Sequence, residues 1–236
     1  MRLAVEGFDV GVTWHNDEQG GHATAQEVRG HGRRAEVRRL DLTDLPAAAD
    51  VIDDLADTLG GVDVLVNNAG IGRGGPLLGA TYEDWRHTIS VDLDGAFLCA
   101  QRAARRMVAQ GRGARIVNVT SVHEHTPIAG NGAYTIAKHR LGGLTKQLAL
   151  ELGPPGITVN SVAPGMVATP MTGLEDEDPS DHPKPEYPIP RPGDAREVAS
   201  CIAWLCSPDA GWTTGASFVV DGGFMLVNPS ARPEQM

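Results

Sequence analysis

Short apolar runs alternate with amphipathic stretches along almost the whole chain, and this alternation restricts the fold more than any other feature. The stretch 45–59 shows the helical period clearly, with apolar side chains at 48, 51, 52, 55 and 59. Strand-like runs are expected at about 8–13, 35–39, 62–66, 115–119, 157–162 and 217–220. Apolar strands that alternate with helices form a parallel sheet covered on both faces. The predicted fold is therefore α/β, with a doubly wound parallel sheet in a single domain spanning residues 1–236.

Composition restricts the kinds of partner that this chain can bind. Its 236 residues carry 30 acidic and 20 basic side chains, a net charge of −10. Nucleic acid and anionic membranes attract clustered Lys and Arg, so both are disfavoured as partners. No apolar run approaches the roughly 20 residues of a membrane helix, and the first residues lack the apolar stretch of a signal peptide. Three cysteines without metal or redox spacing fit a reducing compartment. We expect a cytoplasmic protein that acts on a small molecule.

Tyr134 and Lys138 are four residues apart in a predicted helix at 132–152, so they share one face. Ser121 follows a predicted strand upstream of them. A tyrosine pKa near 10 makes a poor base at neutral pH, and lowering it to about 7 requires about 4 kcal/mol of phenolate stabilisation. A nearby ammonium and a positive nicotinamide ring supply such stabilisation. The hydroxyl of Ser121 can hold a substrate oxygen within reach of the phenol.

A Tyr-x-x-x-Lys pair alone occurs by chance on many helices, so the surrounding motifs decide its meaning. They are Asn67-Asn68-Ala69-Gly70, the run from Arg115 to Ser121, the run from Val159 to Gly165, and Asp221-Gly222-Gly223. In this order and spacing, the set resembles the short-chain dehydrogenase/reductase family over nearly the whole chain. The 3-oxoacyl-carrier-protein reductase-like and the sugar or polyol dehydrogenase branches are the most similar, and the residues do not choose between them. The resemblance implies a Rossmann-type sheet and an NAD(P)-dependent oxidoreductase acting on a carbonyl or a secondary alcohol.

The resemblance also implies roles for individual residues. Ser121, Tyr134 and Lys138 match the catalytic positions, with Tyr134 as general acid/base and Lys138 also on the nicotinamide ribose. The implied cofactor-binding positions are Asp41 and Leu42 beside adenine, Asn68, Ala69 and Gly70 at the adenosine ribose, and Pro164, Gly165, Val167 and Thr169 at the nicotinamide carboxamide. For Asp221-Gly222-Gly223 we prefer a structural turn. The family further implies a homo-oligomer, a tetramer or a dimer, formed through helices near 92–110 and 132–152 and the last strand.

Asp92 departs from the pattern of the family. The family has an asparagine there, a fourth catalytic residue that anchors a water of the proton relay. An aspartate still accepts hydrogen bonds from water, but it adds charge and loses a donor. We expect altered tuning of the relay rather than inactivity.

The start of the chain departs further. In this family, the chain begins with a strand, a TGxxxGxG loop and a helix, and the N-terminus of that helix binds the pyrophosphate of the cofactor. Residues 1–9 instead resemble the end of that first helix, so about 20 residues of a full βαβ unit have no match. Each buried backbone N–H or C=O group without a hydrogen-bond partner destabilises the fold by about 1–3 kcal/mol. The whole free energy of unfolding of a domain is only roughly 5–15 kcal/mol. We expect either a true start upstream of Met1, or a chain that folds poorly and binds cofactor weakly.

The end of the second family strand predicts which cofactor is used. NAD-dependent members place a carboxylate there, which bonds the ribose 2′-hydroxyl and repels a 2′-phosphate. Here Trp14 holds that position, and no carboxylate follows until Asp17. The sequence therefore favours NADP over NAD, with His15 and Asn16 as neighbours of the phosphate.

Two further segments border the predicted site. His123-Glu124-His125 follows Ser121 directly. A metal site needs more ligands than this pair of histidines, so lining of the substrate pocket and plain exposure remain the two interpretations. Residues 174–192 contain six acidic side chains and many prolines. We interpret them as a mobile loop at the substrate-lid position.

A different class of function remains open. The chain is either an NADP-dependent carbonyl reductase or a truncated, catalytically silent family member that acts as a binding or assembly subunit. The intact Ser121, Tyr134 and Lys138 favour the enzyme, and the unmatched phosphate loop favours the silent subunit.

Overall fold

The computed structural model describes residues 1–72, 75–174 and 177–227. Its strands are β1 (Val10–Trp14), β2 (Ala35–Arg39), β3 (Val64–Asn67), β4 (Ala114–Val119), β5 (Ile157–Pro164) and β6 (Ser217–Val220). Its α-helices are α1 (Arg2–Val5), α2 (Glu18–Gly30), α3 (Asp50–Leu59), α4 (Tyr82–Ile89), α5 (Gly95–Gln110), α6 (Gly132–Leu152) and α7 (Ala195–Cys206). Strands and helices alternate as the sequence predicts, and every strand pair is parallel.

The parallel strands form two sheets. β1 pairs with β2, and a second sheet has the order β3-β4-β5-β6. A cavity of about 650 Å³ lies between the two sheets and is lined by residues of both β1 and β3. Because this cavity occupies the space between the edges of β1 and β3, no hydrogen-bond ladder joins them. The predicted α/β class with parallel strands is confirmed.

The core covers both faces of the four-stranded sheet. Successive side chains of β4 point to opposite faces, so Ile116 and Val117 lie in different clusters. Ile116 packs with Met107 of α5, and Val117 packs with Leu205 of α7. All four side chains are almost fully buried. This packing holds the carboxyl ends of β4 and β5 rigidly, and the candidate catalytic residues follow those ends.

Some helix boundaries differ from those expected. The helix predicted at 45–59 begins only at Asp50, because Ala47–Ala49 form a 3₁₀ turn after Pro46, which has no N–H to donate. The two helices expected within 82–110 are joined without a loop by a π-helical turn, Ser90–Asp94. In the described part of the chain, no helix is both long enough and apolar enough to cross a membrane.

Candidate functional site

The predicted catalytic residues meet at the carboxyl edge of the four-stranded sheet. Ser121 lies two residues beyond β4, and α6 carries Tyr134 in its first turn. Ser121 lies close enough to Tyr134 to lower the pKa of its phenol. The oxygen of Ser121 also accepts the backbone N–H of His123 at 3.2 Å. This second contact fixes the hydroxyl of Ser121 close to the phenol.

Lys138 lies beneath Tyr134 on the same face of α6. Its side chain is 4 % exposed, and its ammonium is 5.6 Å from the centre of the Tyr134 ring. That ammonium donates to the carbonyl of Val119 at 3.4 Å. Burial lowers the pKa of Lys138, and the negative charge of Asp92 opposes that effect. Since one long hydrogen bond uses only one of the three N–H groups, the ammonium can also bind ribose hydroxyls.

Asp92 is buried in the π-helical turn and faces the same space. Its Oδ1 accepts the backbone N–H of Ile71 at 2.7 Å, whereas its buried Oδ2 has no partner among the described residues. A Cβ added at Gly70 would lie 3.1 Å from both Asp92 Oδ1 and Lys138 Nζ. The bare backbone of Gly70, the free oxygen and the buried ammonium therefore form a polar cradle that suits the hydroxyls of a nucleotide ribose.

The pKa of Tyr134 moves in the direction opposite to our expectation. Burial raises it, the hydrogen bond with Ser121 lowers it, and the charge of Asp92 raises it. We expected Lys138 to lower this pKa. The ammonium of Lys138 is itself destabilised by burial and interacts with Asp92, so in the chain alone its effect does not overcome desolvation.

The residues predicted for the adenine end lie together at the ends of β1 and β2. His15 Nε2 is 3.3 Å from Asp41 Oδ2. Hydrogen bonds from Thr43, followed by the effects of His15, lower the pKa of Asp41 to about 2. Trp14 packs on α2, where a Cβ at Gly21 would lie 3.1 Å from its ring.

Two residues at this end change the sequence-based interpretation. Arg39 is paired with Trp14 in the β1–β2 register and lies 3.0 Å from Asp41. Arg39 therefore places a basic group beside Trp14, where a 2′-phosphate is expected. Arg39 was not predicted from the sequence, because only the pairing of β1 with β2 brings it there. Leu42 is buried, and a Cβ at Gly95 would lie 2.8 Å from it. Its side chain therefore packs on α5.

The segment predicted for the carboxamide follows β5. Gly165 is pressed against Asp221, whose Cβ would lie 2.8 Å from a Cβ at Gly165. Val167 forms an isolated parallel bridge with Gly193. Thr169 caps a 3₁₀ turn, Pro170–Thr172, and this turn brings Met171 Sδ to 3.2 Å from the Cβ position of Gly72. This segment therefore closes one side of the site, against the turn that contains Asn68, Ala69 and Gly70.

The segment His123-Glu124-His125 divides into three environments. The ring of His123 lies edge-on to the ring of Tyr134, with centroids 6.2 Å apart. Glu124 is buried, and the exposed His125 is 2.9 Å from the hydroxyl of Ser217. His123 is thus the member of the three that lies beside Tyr134.

Residues 175 and 176 of the predicted 174–192 loop lie outside the described part of the chain. The end of this loop is held to the segment after β6. Ile189 donates to the carbonyl of Gly222 at 2.9 Å, and the rings of Tyr187 and Phe224 are 5.2 Å apart. Asp221-Gly222-Gly223 therefore supports the loop, in agreement with the structural role that we preferred.

Comparison with known proteins identifies the family. Residues 1–225 match the family model described as enoyl-(acyl carrier protein) reductase. An uncharacterised oxidoreductase, YohF of Escherichia coli K12, is 55 % identical over 99 % of this chain and 92 % of its own length. The 3-oxoacyl-[acyl-carrier-protein] reductase FabG of Staphylococcus epidermidis is 32 % identical, over 96 % of this chain and 92 % of its own. The crystal structure of an acetoin dehydrogenase from Enterobacter cloacae is 55 % identical and superimposes with a TM-score of 0.92, covering 98 % of this chain and 92 % of that one.

Proposed function

The chain belongs to the short-chain dehydrogenase/reductase family and is an oxidoreductase, and on that premise we propose that it transfers a hydride between NADP(H) and a carbonyl or secondary alcohol, with Tyr134 as general acid/base. The observation that carries the proposal is the cluster of Ser121, Tyr134 and the buried Lys138, whose ammonium is 5.6 Å from the centre of the Tyr134 ring. This arrangement places a proton donor, a hydrogen-bond donor and a buried cation around one small space.

In the reducing direction, the phenol of Tyr134 donates its proton to the carbonyl oxygen, and Ser121 donates a hydrogen bond to the same oxygen. Lys138 would hold the nicotinamide ribose, with the unpartnered oxygen of Asp92 and the bare backbone of Gly70 beside it. When bound, the cofactor supplies or accepts the hydride, and its oxidised form adds positive charge that favours the phenolate. In the oxidising direction, the phenolate of Tyr134 takes the proton of the alcohol.

We further propose that the substrate is a small hydroxyketone of the acetoin type. The support is the 55 % identity, over 98 % of this chain, to a protein described as an acetoin dehydrogenase. The reductase of 3-oxoacyl thioesters is less similar, at 32 % identity. Comparing initial rates with acetoin, diacetyl and a 3-oxoacyl thioester separates these substrates. A thioester that is turned over faster than both small ketones contradicts this assignment.

The preference for NADP rests on Trp14 in place of a carboxylate and on Arg39 beside it. Asp41 opposes this preference, because its ionised carboxyl lies 3.0 Å from Arg39 and repels a phosphate. Titration of the four tryptophans' fluorescence with NADPH and with NADH measures both affinities without turnover. We expect tighter binding of NADPH, and weakened NADPH binding with little change for NADH in Arg39→Gln.

Replacement of Tyr134 tests the chemistry. Tyr134→Phe removes the proton donor and keeps the ring, so we expect a loss of turnover of about 10²–10⁴-fold, the usual contribution of general acid–base catalysis. Tyr82→Phe is the matched control, because Tyr82 is 71 % exposed and lies on α4. Wild-type protein that binds cofactor but turns over no carbonyl in a broad panel would contradict the proposal and favour the silent-subunit alternative.

A further inference from the structure

Glu124 is a buried carboxylate three residues after Ser121, and the mechanism proposed above does not use it. Its side chain is 9 % exposed. Three hydroxyl groups donate to its Oε2: that of Thr120 at 2.6 Å, that of Ser161 at 3.0 Å and that of Ser217 at 3.1 Å. Thr120 directly follows β4, Ser161 lies in β5 and Ser217 begins β6. One carboxylate therefore joins three adjacent strands.

The chemistry of these groups makes the junction directional. An ionised carboxylate only accepts hydrogen bonds, so each hydroxyl must turn its hydrogen towards Glu124. Hydrogen bonds to a charged acceptor are stronger than those between neutral groups. Thr120 is also the residue before Ser121. The position of the Glu124 carboxylate therefore fixes the backbone from which Ser121 projects.

Helix α6 contacts the same carboxylate through Gly142. A Cβ added at Gly142 would lie 2.6 Å from Glu124 Cδ, so a side chain at this position would displace the carboxylate. Gly142 is one turn beyond Lys138 and two turns beyond Tyr134, on the same buried face of α6. The carboxylate thus rests on the bare backbone of the helix that carries both catalytic side chains.

We propose that Glu124 is a positioning residue, which locks the turn carrying Ser121 against the face of α6 that carries Tyr134 and Lys138. The role assigned here rests on the proposed function, because the geometry that it controls is the position of Ser121 relative to Tyr134. A shift between the turn and the helix changes that position while leaving the predicted cofactor-binding residues of β1 and β2 in place.

Two substitutions and one control test whether Glu124 holds the turn that carries Ser121 against α6. Glu124→Gln replaces an acceptor oxygen with an amide donor, so one of the three hydroxyl contacts is lost or reversed. Gly142→Ala places a methyl group against the carboxylate. We expect each to lower kcat by about 10²-fold, the usual effect of a misplacement near 1 Å, with the affinity for NADPH unchanged. Gly143→Ala is the matched control, since a Cβ at Gly143 meets nothing within 4 Å.

The double variant gives the sharpest outcome. Glu124→Asp shortens the side chain and makes room for a methyl group at position 142. The kcat of Glu124→Asp/Gly142→Ala should therefore be about tenfold or more above that of Gly142→Ala, because substitutions at residues in contact are coupled. Rescue distinguishes a fitted contact from a general loss of stability. A double variant slower than both single variants would overturn the proposal.

Hydrogen exchange gives a readout that does not depend on turnover. The amide of His123 donates to Ser121 Oγ, so it should exchange faster in Glu124→Gln and Gly142→Ala than in the wild type and in Gly143→Ala. If the wild-type protein shows no turnover and both variants still exchange faster than it, the result supports the lock and rejects only the proposed function. Unchanged exchange together with unchanged kcat in both variants would reject the lock itself.

Discussion

Asp92 influences both titrating groups of the site from a buried position. Its negative charge raises the pKa of Lys138 and also that of Tyr134, in the second case in addition to burial. Burial raises the pKa of Asp92 itself, while Lys138 and the hydrogen bond from Ile71 lower it. An asparagine at this position has the same shape and no charge. The family's usual residue and the one present here therefore set different pKa values for the same phenol.

We predict that Asp92→Asn shifts the pH profile of alcohol oxidation to lower pH. Oxidation requires the phenolate of Tyr134. Removing a nearby negative charge lowers the pKa of the phenol, so the rising limb of kcat/KM should appear at a lower pH wherever Asp92 is ionised. The measurement is kcat/KM against pH in the oxidising direction. Asp94→Asn is the control, because Asp94 is in the same turn but is partly exposed and paired with Arg86. A shift to higher pH in Asp92→Asn would contradict this account.

The catalytic residues were predictable because their relation is local. Tyr134 and Lys138 share a helix face by spacing alone, and Ser121 follows a recognisable strand. Glu124 and Arg39 were not assigned, because their environments depend on distant parts of the chain. The partners of Glu124 come from three strands, and Arg39 reaches the cofactor end only through its pairing with Trp14. Sequence patterns do not specify such strand pairing.

At the scale of elements, periodicity located the helices well and the strand edges poorly. Helix α6 has the predicted bounds, since glycine and proline mark its end. The separation into two sheets was not predictable from periodicity, because an apolar strand has the same sequence pattern whether one or both of its edges are hydrogen-bonded to neighbouring strands. The register shows that the backbone groups of Val10, Val12 and Trp14 form the hydrogen bonds to β2. The backbone N–H groups of the residues between them therefore face the cavity.

We predict that this division is visible in the exchange of individual amides. In β1 the N–H groups of Gly11 and Thr13 face the cavity, and in β3 those of Val64 and Val66 do so, whereas Leu65 bonds to β4. Unpaired edge amides exchange by local opening, so these four should exchange much faster than their ladder-bonded neighbours. Hydrogen exchange followed by NMR measures each site. Amides of β4 and β5, which are paired on both sides, provide the slow reference.

Protection of those four amides equal to that of Leu65 would contradict the structure. It would show that a strand or another segment pairs with β1 and β3 in solution. Protection that appears only after NADPH is added would instead indicate that cofactor binding closes the gap between the two sheets.

At the scale of the whole molecule, the surface of α5 suggests self-association. Phe97 and Val108 are 41 % and 47 % exposed, and they are separated by three helical turns, so they lie on one face. Leu150 near the end of α6 is 75 % exposed. An acidic chain with a net charge of −10 repels other copies at long range. Apolar side chains repeated along one helix face are the kind of surface that offsets such repulsion when a symmetric partner covers it.

We predict that the protein is a homo-oligomer that associates through this face of α5. Light scattering after size exclusion should give a mass that is a multiple of 24.9 kDa. Phe97→Asp/Val108→Asp should shift that mass to the monomer, because a two-fold interface contains each substitution twice and buries every new charge without a partner. Val5→Asp is the control, since Val5 is 57 % exposed on α1, away from α5. A wild-type mass of 24.9 kDa would exclude self-association. A double variant that keeps an oligomeric wild-type mass would place the subunit contact elsewhere. Ion pairs of Arg102 and Arg106 with acidic residues of α3 hold α5 within its own subunit, so the double variant should still fold.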